Sequence, residues 1–186
     1  PDGYVHQANF QVEEFRTPVF EAALTGSAQW SAGQQRLPLA LRLSYLAGGA
    51  AAGESVSVAG QYLAGATAPV SGYVFSDATL PDWQAPAFTT LATRLDAQGQ
   101  AQLDPALPVF DRPVTLNAEM KFSDPNGEVQ TVGQSFALWS SPIRLGIRAT
   151  PQSKVGQART SVRLQAVVLD AQNQPLAKKL LTLTAR

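Results

Sequence analysis

Apolar and polar residues alternate with a period of two along much of this chain. The clearest case is Leu37–Leu43, where leucine occupies every second position. Ser55–Leu63 and Val114–Met120 alternate in the same way. Because successive side chains of a strand point to opposite faces, this period predicts half-buried β-strands. Further strands are predicted at Val19–Leu24, Val70–Phe75 and Val129–Trp139.

One segment, Phe88–Leu95, fits both a helix and a strand. Phe88, Leu91 and Leu95 have helical spacing, but Leu91, Thr93 and Leu95 also alternate. Asp96–Gly99 follows at once and predicts a hairpin turn, so the strand is favoured. Asp124–Gly127 predicts a second turn of this kind. Short strands separated by Gly, Pro, Asn and Asp indicate an all-β fold, an antiparallel β-sandwich.

A strand, a proline and a new strand occur twice in the chain. Proline has no backbone N–H and interrupts a strand, so each proline indicates a joint. The second joint follows the first by 124 positions, the spacing between Pro18 and Pro142. We interpret the joints as domain boundaries and predict that Phe15 and Trp139, three residues before each proline, pack there. The matched residues are Val12, Phe15 and Pro18 with Phe136, Trp139 and Pro142.

A second similarity has a spacing of 106 positions, for example between Val56 and Val162. The difference from 124 predicts 18 extra residues between Pro18 and Val56, as an added or lengthened hairpin near Leu37–Tyr45. Three regions are predicted. Residues 1–16 are the last strand of a preceding domain or a linker strand, 17–140 a complete sandwich of about seven strands, and 141–186 the first part of a second sandwich.

Composition narrows the possible functions. The chain has 186 residues, of which 45% are hydrophobic, enough for a substantial core. Lys+Arg and Asp+Glu both number 14, so no net charge attracts nucleic acid or an acidic membrane. No apolar run approaches the roughly 20 residues of a membrane-spanning helix. Cysteine is absent, which excludes disulfides and thiolate chemistry. The start, Pro-Asp-Gly-Tyr, indicates a piece of a longer protein.

The chain offers little catalytic or metal-binding chemistry. His6 is the only histidine and cannot form a histidine cluster. Glu13 and Glu14 would point to opposite faces of a strand, which disfavours a paired-carboxylate site. Asp124–Glu128 superficially resembles a calcium loop but reads better as a turn. We therefore predict no catalytic, cofactor-binding or metal residues and no cofactor, although Trp30 and Trp83 could serve as sugar-stacking platforms.

Three segments resemble a known family, the bacterial α-macroglobulins. Phe10–Glu21, reading Phe-Gln-Val-Glu-Glu-Phe-Arg-Thr-Pro-Val-Phe-Glu, resembles the strand that leaves one macroglobulin-like domain of that family and enters the next. Gln61–Gly72 resembles the family's Tyr-x-x-Gly-Gly-x-Pro-x-x-Gly segment, and Leu169–Ala177 resembles its recurring hairpin, here without the family's glycines. The resemblance covers most of the chain, and Phe10–Glu21 is its most specific part.

The resemblance implies a scaffold role within a protease trap. In this family a large periplasmic protein, usually anchored as a lipoprotein, is cut by a protease in a bait segment and rearranges around it. The covalent thioester of many members, Cys-Gly-Glu-Gln, is absent because this chain has no cysteine. The resemblance implies that this chain is not an enzyme. Its expected partners are neighbouring macroglobulin-like domains and, through the parent protein, proteases. No nucleic acid and no membrane insertion are expected. An extracellular adhesin or carbohydrate-binding sandwich is the alternative.

Overall fold

The computed structural model describes residues 19–31, 33–75, 82–152 and 161–182, which contain eleven strands and no helix. This part of the chain accordingly has no helix that could span a membrane. The strands are β1 (Phe20–Gly26), β2 (Gln29–Ser31), β3 (Gln34–Arg36), β4 (Leu39–Tyr45), β5 (Ser55–Ala64), β6 (Leu91–Arg94), β7 (Gln100–Leu103), β8 (Val114–Ser123), β9 (Val129–Leu138), β10 (Arg144–Gln152) and β11 (Ser161–Leu169).

Two antiparallel sheets form the main body, which we call the sandwich. One has three strands in the order β1-β4-β7, and the other has four in the order β6-β5-β8-β9. Together the two sheets hold seven strands. Strands β2–β3 and β10–β11 form two separate hairpins. The predicted all-β antiparallel sandwich is therefore confirmed.

The core lies between the two sheets and follows the alternation of the sequence. Leu37, Leu39, Leu41 and Leu43 are each at most 1% exposed, while Arg42 between them faces solvent. The facing sheet contributes buried side chains from β5, β8 and β9. Burying one face and solvating the other is what a period of two produces in a sandwich. The buried side chains of the facing sheet include Val58, Leu116, Met120 and Phe136.

Tyr62 is a titratable group inside this core. It is 3% exposed, and its ring lies 5.2 Å from that of Phe110 and 5.9 Å from that of Phe88. Burial disfavours the phenolate and raises the pKa of Tyr62 to about 12. The neutral ring is therefore the form that the folded state requires.

We expect this pKa to limit stability in alkali. An unfolded tyrosine has a pKa of about 10, so the stabilising contribution of the neutral ring is complete below that pH. It is lost as the pH rises from about 10 to about 12. Urea unfolding of wild type and Tyr62→Phe, measured at pH 8 and near pH 12, tests this. The variant should lose less stability between the two pH values, and an equal loss in both proteins would contradict the assignment.

Three turns are built around an aspartate with the same hydrogen bonds. The carboxylate oxygen Oδ1 of Asp96, Asp124 or Asp170 accepts from the backbone amides two and four residues later, at 2.8–2.9 Å. The fourth residue has a left-handed backbone in each turn: Gly99, Gly127 and Asn173 have φ of 71°, 83° and 63°. Glycine and asparagine are the residues that tolerate this conformation. The predicted turns at Asp96 and Asp124 are confirmed.

The turn at Asp96 does not form a hairpin within one sheet. β6 before it pairs with β5, whereas β7 after it pairs with β4 in the other sheet. The turn chemistry fixes the local reversal of the chain, but the pairing partners are chosen by packing of the two sheets. The strand at Phe88–Leu95 is confirmed in a shorter form, β6.

The hairpin β10–β11 corresponds to the strand pair β1–β4. The 106-residue spacing had predicted that β11 corresponds to β5. Phe20 pairs with Tyr45 in β1–β4 and Arg144 with Leu169 in β10–β11, and both members are shifted by 124. A similar turn follows β4 and β11, but with a shift of 125: Tyr45 N–H donates to Gly49 O, and Asp170 N–H donates to Gln174 O. The 106-residue match was wrong because alternating valine and leucine fit any strand.

The predicted insertion of 18 residues was the difference between the two spacings. It no longer follows, because β11 does not correspond to β5. The additional hairpin before β4 is β2–β3, at Gln29–Arg36 and not near Leu37–Tyr45. The predicted strand Val70–Phe75 is also wrong, since Val74 forms only an isolated bridge, to Ile147. The strand predicted within residues 1–16, including Phe15, and the joint at Pro18 lie outside the described residues.

Candidate functional site

The described residues form no recognisable metal or catalytic cluster. Within the described ranges, no three His, Cys, Asp or Glu side chains are close enough to hold a metal ion together. Asp124 uses its carboxylate to close the β8–β9 turn, as a turn residue and not a calcium ligand would. His6, Glu13 and Glu14 lie outside the described residues. That the chain binds no metal or cofactor stays a prediction.

The two tryptophans considered as sugar platforms differ in their surroundings. Trp83 lies in a loop, as the sequence indicated, and packs against the sandwich core. Trp30 is half-buried on β2 and lines a cavity of about 550 Å³ between the sandwich and the hairpin β10–β11. Gln35 and Arg144 line the same cavity. The position of Trp83 is that of an ordinary packing residue.

The best-defined candidate site is the joint, where the hairpin β10–β11 meets the sandwich. Trp139 follows β9 directly and is 6% exposed. The ring of Phe75 meets its ring edge to face, with 5.7 Å between the centroids. On another side the guanidinium carbon of Arg144 lies 4.8 Å from the Trp139 ring centroid. The predicted burial of Trp139 is confirmed, and its partners are one residue from the β5–β6 connection and one from β10.

Arg144 ties the start of β10 to the turn after β11. Its Nη2 donates to the carbonyl of Ala171 at 3.0 Å, and its Nη1 donates to Oδ1 of Asn173. Nε is buried without a hydrogen-bond partner among the described residues. Burial lowers the pKa of Arg144 below its usual value, and the nearby charge of Asp170 opposes this shift. The guanidinium is therefore engaged in contacts with Trp139, Ala171 and Asn173 at the joint.

A segment of the β5–β6 connection, Tyr73–Phe75, also reaches the joint, and we call it the docked segment. Val74 donates to Ile147 O at 2.8 Å and accepts from Ile147 N–H at 2.9 Å. Phe75 lies directly over Gly146, where an added Cβ would be 2.5 Å from ring atom Cζ. Tyr73 lies beneath the guanidinium of Arg148 at 4.8 Å.

Sequence reasoning found Trp139 but missed its partners. Gly146 could have predicted one contact, because a lone glycine within a strand pattern often marks close approach of another group. Nothing in the alternation around Val74 indicated that it would bind to β10 and not to its own sheet. The charge and position of Arg144 gave no indication that its guanidinium would be partly buried against Trp139.

The outer face of the hairpin β10–β11 is apolar and open. Directly paired residues share a face, and one face consists only of apolar side chains. Its larger members are substantially exposed, with Ile147 at 41% and Leu164 at 47%. We call this set the apolar face: Leu145, Ile147, Ala149, Pro151, Val162, Leu164, Ala166 and Val168. With a shift of 124 this face corresponds to the solvent-facing side of β1–β4, which carries Glu21 and Arg42.

No family model matches the chain, and no curated protein matches it either. Solved structures of bacterial α2-macroglobulins do. The native conformation of the Escherichia coli protein has a TM-score of 0.63 and 19% identity over 89% of this chain. The Salmonella protein reacted with methylamine gives 0.63 and 18% over 88%, and the trypsin-activated E. coli protein gives 0.62 and 16% over 86%.

These similarities confirm the fold of the resembled family. The chain spans only 12% of the length of each of these three proteins. At such identity the similarity shows the fold alone.

Proposed function

We propose that this chain is a scaffold segment of a bacterial α-macroglobulin, a protease-trapping inhibitor of the periplasm whose parent is anchored as a lipoprotein. The observation that carries the proposal is the structural similarity over 89% of the chain to the native E. coli α2-macroglobulin. Related E. coli structures are described as activated by trypsin and by porcine elastase, which supports proteases as partners of the parent protein.

The proposed role is mechanical and not enzymatic. The side chains of the joint are engaged in packing and hydrogen bonds: Trp139 is covered by Phe75, and Arg144 holds the turn at Asn173. A joint of this kind holds two units at a fixed orientation, which a scaffold needs if cleavage elsewhere in the parent is to move whole domains.

We further propose the division into residues 17–140, a complete sandwich, and 141–186, the first part of a second, with 1–16 belonging to the preceding unit or linker. The repeat of β1–β4 by β10–β11 supports it. The apolar face of β10–β11 is exposed, although the corresponding side of β1–β4 is polar and carries Glu21 and Arg42. A two-stranded hairpin with such a face is marginal in water, so it is expected to receive a second sheet of the parent protein.

The proposal is tested on the full-length parent protein mixed with trypsin. A trap that surrounds a protease blocks large substrates and leaves small ones access, so cleavage of a folded protein substrate should fall while cleavage of a short chromogenic peptide persists. This chain alone, added at the same concentration, should change neither rate. Equal inhibition of both substrates would indicate an active-site inhibitor, and no inhibition of either would overturn the trap; glycan binding by the parent would then favour the adhesin.

A further inference from the structure

The docked segment lies along β10 in the position that a third strand of the hairpin would occupy. Among the described residues, β11 pairs with one edge of β10, and Val74 occupies the other edge through its two hydrogen bonds with Ile147. The pairing is antiparallel. That register places Phe75 opposite Gly146 and Tyr73 opposite Arg148. The segment therefore belongs by sequence to the sandwich and by hydrogen bonding to the hairpin.

The side chains agree with this register. Tyr73 and Phe75 are two residues apart and so share one face of the strand. Phe75 lies over Gly146, whose lack of a Cβ leaves the space that the ring fills. Tyr73 meets the Arg148 guanidinium, which Gln165 Oε1 holds by accepting two hydrogen bonds, at 3.0 and 2.7 Å. Backbone bonds set the position of the segment, and the two rings specify its register, as in recognition of a peptide by strand addition.

We propose that the edge of β10 is a strand-addition site for this chain's own segment Tyr73–Phe75, and that its occupation fixes the orientation of the hairpin β10–β11 on the sandwich. This deepens the proposed scaffold role and rests on it, because it assigns the fixed orientation of the joint to one segment and one strand edge. The docked length is short: one residue, Val74, supplies both backbone bonds. Segments held by so few contacts open locally without global unfolding. The site is therefore a reversible lock on the joint, and its opening leaves the Ile147 edge free to accept another extended segment.

Gly146→Ala is the variant that tests the lock. The new methyl group would meet Phe75 and dislodge the segment. Gly133→Ala is the matched control, since Gly133 is also inside a strand but its added Cβ would lie 3.7 Å from the nearest atom, an ordinary contact. Amide hydrogen exchange at Val74 and Ile147 should accelerate at least tenfold in Gly146→Ala and stay unchanged in Gly133→Ala. Unchanged exchange in Gly146→Ala would overturn the proposal.

A double variant separates the lock from general damage to β10. In Phe75→Ala the ring is gone, so adding Gly146→Ala should accelerate exchange at Ile147 little further, and the two effects should not add. Full additivity would mean that Gly146 acts through something other than Phe75 and would overturn the proposed contact.

Orientation is measured by spin-label distances. The chain contains no cysteine, so Lys121→Cys on β8 and Thr150→Cys on β10 give one defined label pair. The distance distribution should broaden clearly in Gly146→Ala and remain as in wild type in Gly133→Ala. Faster exchange with an unchanged distribution would show that the segment docks but does not fix the hairpin, and would overturn the second half of the proposal.

Discussion

Replacing Gly99 with alanine is expected to lower the free energy of unfolding by about 3–4 kcal/mol. Gly99 has φ of 71°, which strains any residue with a Cβ. An added methyl group would also clash with the carbonyl oxygen of Leu43 and lie 3.0 Å from the amide nitrogen of Ala51. Those two groups are hydrogen-bonded to each other at 3.2 Å. Urea unfolding followed by circular dichroism measures the loss.

Gly127→Ala is the control, because Gly127 occupies the same position of an equivalent turn. Its φ is 83°, but an added Cβ would meet nothing within 4 Å. Only the backbone strain remains, so its cost should be about 1–2 kcal/mol. The difference between the two variants isolates the contact of the Asp96 turn with β4. Equal losses would show that the close approach to Leu43 is relaxed at little cost.

The turns also show what the sequence could predict. An aspartate followed three positions later by glycine combines a side-chain acceptor for two backbone amides with a residue that tolerates positive φ. Asp96 and Asp124 satisfy both conditions and were predicted as turns. The Tyr45 turn has the same backbone bonds, with Gly48 N–H donating to Tyr45 O, but lacks the carboxylate. Gly48 and Gly49 by themselves indicate only that a strand ends there.

Strand positions were predictable, whereas strand equivalence was not. The alternation at Leu37–Leu43 indicated correctly which side chains are buried, because burial of one face follows from the pleat. The same alternation at Val162–Leu164 carries no information about the partner strand. Pairing β11 with β10 depends on register over nine residue pairs and on the turn after Leu169. Only the structure shows that register.

The position of the joint was predictable from the sequence, but the residues that pack there were not. The proline at 142 and the large ring three residues before it marked the place where one unit ends, and Trp139 is indeed buried there. Its partners come from residues 64 positions before it and 5 after it, Phe75 and Arg144. The long connection between β5 and β6 has no periodicity that specifies where it packs. Its destination is set by tertiary contacts with Gly146 and Ile147.

Replacing Trp139 with alanine is expected to lower the free energy of unfolding, followed at the hairpin β10–β11, by about 3–5 kcal/mol. The ring is 6% exposed, so its removal leaves a cavity between Phe75 and Arg144. Phe75 would lose its edge-to-face partner, and the Arg144 guanidinium would lose the ring that covers it. Denaturant-dependent hydrogen exchange at Ile147 and Leu169 measures the loss where it should occur.

The exchange pattern across the chain decides whether Trp139 acts at the joint. Amides of β5 and β8, such as that of Leu116, report on the sandwich core and should lose less protection than Ile147. Trp30→Ala is the control: Trp30 is half-buried on the three-residue strand β2 and lines the same cavity, so its loss should cost about 1 kcal/mol or less. A uniform loss at all amides in Trp139→Ala would place the ring in the sandwich core, and no loss at Ile147 would show that the hairpin is held without it.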